Sequence, residues 1–135
     1  MNILMLLDKK FPPDIRVEKE ARSLINAGHK IYLLALGSGD QKEEEFIEGV
    51  CVIRVNKPRK GLARIFERLA FSLSFLDKYY LRAMEKVIST CKIEAIHVHD
   101  LPLVKTGLTA AKKHHLPIIA DMHENYPAAV QCYLS

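Results

Sequence analysis

The chain opens on Asn2–Leu7, a run that is apolar after its first residue, and such a run predicts a strand buried on both faces of a parallel sheet. Residues 29–36, HKIYLLAL, predict a second strand of the same kind. Between them Ile15, Val17, Ala21, Leu24 and Ile25 recur at helical spacing. Pro12 and Pro13 keep the helix from starting earlier, Asp14 stands where an N-cap belongs, and Gly28 follows as the stop. The polar stretch 37–46, GSGDQKEEEF, predicts a flexible loop, and GVCVIRVN alternates like a third strand. From Leu62 to Cys91 the pattern is helical, with one break near Leu76–Asp77. IEAIHVHD predicts a fourth strand and residues 101–116 the helix after it, with Pro102 tolerated in its first turn. PIIADMH predicts a fifth strand, and residues 124–135 begin another helix. Strands and helices alternating in this order predict an α/β, doubly wound, mostly parallel sheet.

At 135 residues this is one domain, 1–135, with enough chain for one sizeable core. No apolar run is long enough to span a membrane and the first residues are a poor signal peptide, so a cytoplasmic protein is expected. Cys51, Cys91 and Cys132 are far apart and odd in number, which favours reduced thiols over a disulfide frame or a zinc site. Charge is concentrated. Between Arg54 and Lys92 ten basic residues face three acidic ones, a net +7 where the whole chain carries +4. Such a field steers acidic partners; nucleic acid is not among those expected. In a helix, Leu62, Ile65, Phe66, Leu69, Leu73 and Leu76 share one side, flanked by Arg59, Lys60, Arg64 and Arg68. Residues 57–76 then fit an anionic membrane surface. The plainer reading has the helix cover the sheet with its basic residues in water, the usual fate of an apolar stripe.

Ligands of doubly wound sheets bind outside the carboxyl ends of the strands. Those ends are Asp8–Pro13, Gly37–Asp40, His99–Asp100 and His123–Glu124. The first carries DKKFPPDIR where a dinucleotide fold carries Gly-x-Gly-x-x-Gly, so a nicotinamide or flavin site is disfavoured. Amides at the helix start can receive an anion with Arg16 beside them, or Asp14 simply caps and Arg16 is solvated. His97 and His99 share one face of the fourth strand, a spacing seen in metal-dependent hydrolases. A closed ligand set is lacking, since Asp121, His123 and Glu124 are distant in sequence; the bland reading makes His97 a hydrogen-bonded core residue and leaves His99 and Asp100 to meet a ligand. His123 can bond a sugar hydroxyl or a phosphate, or satisfy a backbone carbonyl, while Glu124 opens the next helix.

Three stretches in this order and spacing, FPPDIRVEKEARSLINAGHKIYLLALG, IEAIHVHDLPL and IIADMHENYP, resemble the N-terminal half of a family 4 glycosyltransferase. The resemblance covers essentially the whole chain. It implies a Rossmann-like domain, the acceptor-side half of a GT-B architecture, with the C-terminal nucleotide-sugar domain as the missing partner. It implies a retaining hexosyltransferase that moves a sugar from a nucleoside diphosphate sugar to a glycan or lipid-linked acceptor. No bound cofactor and no metal are expected, and this piece alone is expected to be inactive. By position, His123 corresponds to the family's catalytic histidine. Pro13, Asp14, Arg16, His99, Asp100 and Glu124 would bind substrate. Many relatives carry Gly-Gly in the loop where this chain has Pro12-Pro13-Asp14, a departure at the phosphate-facing turn. Because many relatives act on lipid-linked acceptors, the resemblance also favours a basic helix lying on the inner face of a membrane. Two other readings stay open: a non-catalytic flavodoxin-like module binding anionic lipid or a protein through residues 57–86, and a metal-dependent hydrolase built on His97 and His99. A phosphoreceiver is disfavoured because Asp8 is followed by two lysines.

Overall fold

The computed structural model describes residues 1–122. Six strands form one sheet in the order β3-β4-β2-β1-β5-β6, with β1 at Asn2–Leu7, β2 at Lys30–Leu36, β3 at Glu44–Ile47, β4 at Val50–Val55, β5 at Ala95–His99 and β6 at Ile118–Asp121. All neighbours are parallel except β3 and β4. The order reverses at β1, which lies between β2 and β5 and is one of the two central strands.

Alternation along β1 divides the core in two. Leu4 and Leu6 point to one face and pack with Tyr80, Met84, Val98 and Ala110. Ile3, Met5 and Leu7 point to the other and pack with Val17 and Ala21. The first face is covered by α3 (Lys78–Cys91) and α4 (Val104–His114), the second by α1 (Ile15–Asn26). Helices on both faces are what an unbroken apolar β1 requires. α4 lies close to the sheet because Gly107 has no side chain; a Cβ there would sit 2.6 Å from Val98 Cγ2. A short 3-10 turn, Leu101–Leu103, carries Pro102 into that helix.

Two sequence expectations are corrected. Residues 44–46 of the expected loop, with Ile47 after them, form β3, joined to β4 by Glu48 (φ 48°) and Gly49 (φ 86°). Two successive positive φ values make a two-residue hairpin whose twist suits antiparallel strands. The helical stretch after residue 60 does break where expected, into α2 (Gly61–Ser74) and α3, but α2 does not cover the sheet. It buries none of its residues, and Leu62, Ile65, Phe66, Leu69 and Leu73 are all exposed.

Candidate functional site at the carboxyl edge of the sheet

Two charged groups stand on either side of the carboxyl end of β1. In the first, Asp14 caps α1, accepting from the backbone N–H of Arg16 (3.1 Å) and of Val17 (3.3 Å). Burial alone would raise the pKa of Asp14, but these bonds and the Arg16 guanidinium outweigh it and hold the carboxyl below its ordinary value. Arg16 Nη2 is 3.4 Å from Asp14 Oδ2 and 3.4 Å from Asp100 Oδ2, and Lys9 Nζ is 3.9 Å from the same Asp100 oxygen. Partial desolvation works against the charge on Arg16; its two carboxylate partners overcome that and raise its pKa. Arg16 is therefore more than a solvated charge, since it ties the start of α1 to the end of β5.

Asp100 is buried, with φ 68° and ψ 159°. That backbone region belongs almost entirely to glycine and costs a side-chain-bearing residue on the order of 1–3 kcal/mol. The cost is offset by the Asp100 N–H bond to Asp121 O (3.0 Å) and by the two cations. Asp100 Oδ1 is buried and accepts no hydrogen bond among the described residues. A strained carboxylate with an unused acceptor oxygen, at a strand's carboxyl end, is suited to a ligand hydroxyl.

The second group surrounds Lys57, which follows β4. Its Nζ pairs with Asp77, lies 3.6 Å from Asp8 Oδ1 and 4.0 Å from Glu67 Oε1, and sits 5.1 Å from the Tyr80 ring centre. Desolvation opposes the charge on Lys57, but bonding to Asp77 and the field of Asp8 raise its pKa. Desolvation dominates at Asp8, whose pKa is raised despite Lys57. Asp77 caps α3 and receives a bond from Lys57 while its N–H bonds Thr106 Oγ1 (2.9 Å). Tyr80 donates to Leu7 O at 2.6 Å, so the phenol ties α3 to the tip of β1. Sequence reasoning missed this group because Asp8, Lys57, Glu67 and Asp77 are far apart in the chain and meet only in the fold. Lys57, two residues past Val55, was the available signal.

The remaining candidates separate. Pro13 is exposed on the loop before α1. His99 is wholly buried on the α1 face, its ring centre 4.3 Å from that of the half-buried His97. Both imidazoles approach Glu20 of α1, at 3.8 Å for His97 Nε2 and 3.7 Å for His99 Nδ1. Asp121, distant in sequence, is the register partner of His99 and belongs to the same cluster. Glu20 was also missed; an acid among the inward positions Val17, Ala21 and Leu24 was its signal. His123 and Glu124 lie outside the described residues. Cys51 and Cys91 are both free thiols, and burial with Glu44 beside it pushes Cys51 up to about 12, leaving it protonated and unreactive.

A doubly wound sheet with polar groups gathered at its carboxyl edge defines a Rossmann-like domain. Residues 15–134 match the model of the family described as Glycosyltransferase Family 4. The chain belongs to that family. It is 29% identical over 103 residues to an alpha-monoglucosyldiacylglycerol synthase of Acholeplasma laidlawii, a match covering 73% of this chain and 23% of the relative. It superimposes on sucrose-phosphate synthase from Thermosynechococcus elongatus with a TM-score of 0.70 at 13% identity, over 91% of this chain and 33% of that one. The expected N-terminal, GT-B type Rossmann-like fold is thereby shown. The chain spans about a quarter to a third of the length of these proteins. Among the described residues no helix is long and apolar enough to cross a membrane.

Proposed function

We propose that this chain is the acceptor-side domain of a retaining glycosyltransferase, which takes a hexosyl group from a nucleoside diphosphate sugar bound by a C-terminal domain. The observation that carries this reading is Asp100, strained, clamped by Arg16 and Lys9, with Oδ1 left to accept from an acceptor hydroxyl. Asp14, joined to Asp100 through Arg16, and Pro13 beside it are proposed to contact the same acceptor. His123 is the proposed catalytic group and Glu124 a substrate ligand. The transfer step needs no metal, because basic side chains and helix N-termini can stabilise a departing diphosphate. On this reading residues 1–135 do not transfer sugar by themselves, because the donor is held by the C-terminal domain.

The acceptor is a glycan or a lipid-linked molecule. A lipid is favoured by the name of the Acholeplasma laidlawii relative and by the uncovered face of α2 beside Arg59, Lys60, Arg64 and Arg68. That face supports a cytoplasmic enzyme resting on an anionic membrane surface. It equally fits a non-catalytic module docking on lipid, so activity must separate the two.

Initial rates of the two-domain protein, with a panel of nucleoside diphosphate sugars and diacylglycerol in anionic vesicles, provide the test. Asp100→Asn should lower kcat/KM for the acceptor by roughly ten- to a hundredfold, the value of a hydrogen bond to a charged group, with donor KM unchanged. His123→Ala should lower kcat. Unchanged acceptor kinetics in Asp100→Asn would remove the acceptor-site assignment, and vesicle binding without transfer would favour the module.

A further inference from the structure

We propose that Glu20, His97, His99 and Asp121 form a tetrahedral zinc site that staples α1 to the β5–β6 side of the sheet. Each residue offers one ligand-type atom, and these atoms all lie within 4.8 Å of one another. Three separate elements supply them. His97 and His99 alternate onto one face of β5. Asp121 stands beside His99 on the neighbouring parallel strand. Glu20 reaches down from α1, its Oε2 at 3.8 Å from His97 Nε2 and 3.7 Å from His99 Nδ1.

Donors at the usual zinc distances of about 2.0–2.2 Å stand roughly 3.3–3.6 Å apart around a tetrahedron. The two Glu20 contacts are already within about half an ångström of that spacing. Two imidazoles with two carboxylates make a borderline donor set that suits zinc better than calcium or magnesium, which prefer all-oxygen shells. The charges also close: a dication cancels both carboxylates while both imidazoles stay neutral, at a place where His99 is wholly buried. An ion has a way in. Glu20, His97 and Ile119 border a cavity of about 460 Å³ between α1 and the β5–β6 strands.

The site lies under α1, away from the Lys57 group, and its role is structural. This inference is independent of the transferase reading, and metal-free transfer is unaffected by it. It commits His99 to the ion in place of the acceptor.

The test begins with the chain purified after expression in zinc-supplemented medium. Elemental analysis should find one zinc per chain. Cobalt(II) exchanged into the site should give the intense visible absorption of tetrahedral coordination, without a thiolate charge-transfer band. That last feature excludes Cys51, Cys91 and Cys132 as ligands. Glu20→Gln and His97→Gln, both at half-buried positions, should each weaken zinc binding roughly tenfold or more in competition with a chelator. Zinc should raise the melting temperature of the unaltered chain and do so far less in either variant. Substoichiometric zinc, an octahedral or thiolate cobalt spectrum, or undiminished affinity in the variants would each overturn the proposal. The cobalt spectrum comes from the unaltered chain, so it decides the matter even if a variant fails to fold.

Discussion

α2 and α3 are the same length, 14 residues each, adjacent in sequence and similarly two-sided, yet they have opposite fates. α3 buries Tyr80, Met84 and Val87 against the sheet, whereas α2 buries nothing and holds Leu73 78% exposed. An apolar stripe announces a partner without saying whether the partner is in the same chain. What separates the two is their anchorage. α3 is capped by buried Asp77 and tied to β1 by Tyr80, while the N-cap of α2, Lys60, offers no side-chain bond. α2 is held mainly by Glu67 to Lys57 and, at its end, by Lys105 bonding Ser74 O at 2.5 Å.

The contrast can be broken by substitution, with effects that should fall in order. Met84→Ala should cost about 2–5 kcal/mol in chemical denaturation, the loss expected of a wholly buried methionine. A cost below 1 kcal/mol would mean that the α3 face is looser than its burial implies. Asp77→Ala should cost about 2–3 kcal/mol, combining a lost helix cap with removal of the closest partner of Lys57. Asp8 and Glu67 remain to hold the lysine, which keeps the figure below that of a pair left wholly broken.

Asp14→Ala should cost about 1 kcal/mol at neutral pH through its cap alone. The pH dependence gives the sign. The folded pKa of Asp14 is below the 3.8 of an unperturbed aspartate. Its contribution is therefore full above about pH 3.8 and disappears as pH falls through the folded value. Melting curves of the two proteins should converge at acid pH; a gap that persists there would assign the cost to something other than the carboxylate. Smallest of all, Leu69→Gln on α2 should change stability by no more than about 0.5 kcal/mol. The same substitution should weaken sedimentation with anionic vesicles, and a stability loss like that of Met84→Ala would show α2 to be packed after all.

Much of this was readable beforehand where the signal is local. Unbroken apolar runs gave β1 and β2, and the helix break fell beside Asp77, a residue that caps. Arg16 and Asp14 were placed by the Pro12-Pro13 stop that precedes them. What escaped was set by distance. Lys57 matters because β4 ends beside β1 and α3, and Glu20 because α1 crosses β5; neither neighbour is near in sequence. β3 escaped for a different reason. Two of its four residues are acidic, and the hairpin depended on reading Glu48-Gly49 as a two-residue turn.

That same short strand carries a consequence for the molecule in a crowded solution. β3 forms one rim of the sheet, where unsatisfied backbone groups invite another chain to add itself on. Glu43, Glu44 and Glu45 arrive there in succession, beside an exposed Phe46. A second copy approaching rim to rim would set glutamate against glutamate. Replacing Glu43 and Glu44 with threonine, while keeping Glu45 for its 3.2 Å bond to the buried Arg54, would leave the hairpin's turn intact and weaken the repulsion that discourages such rims from pairing.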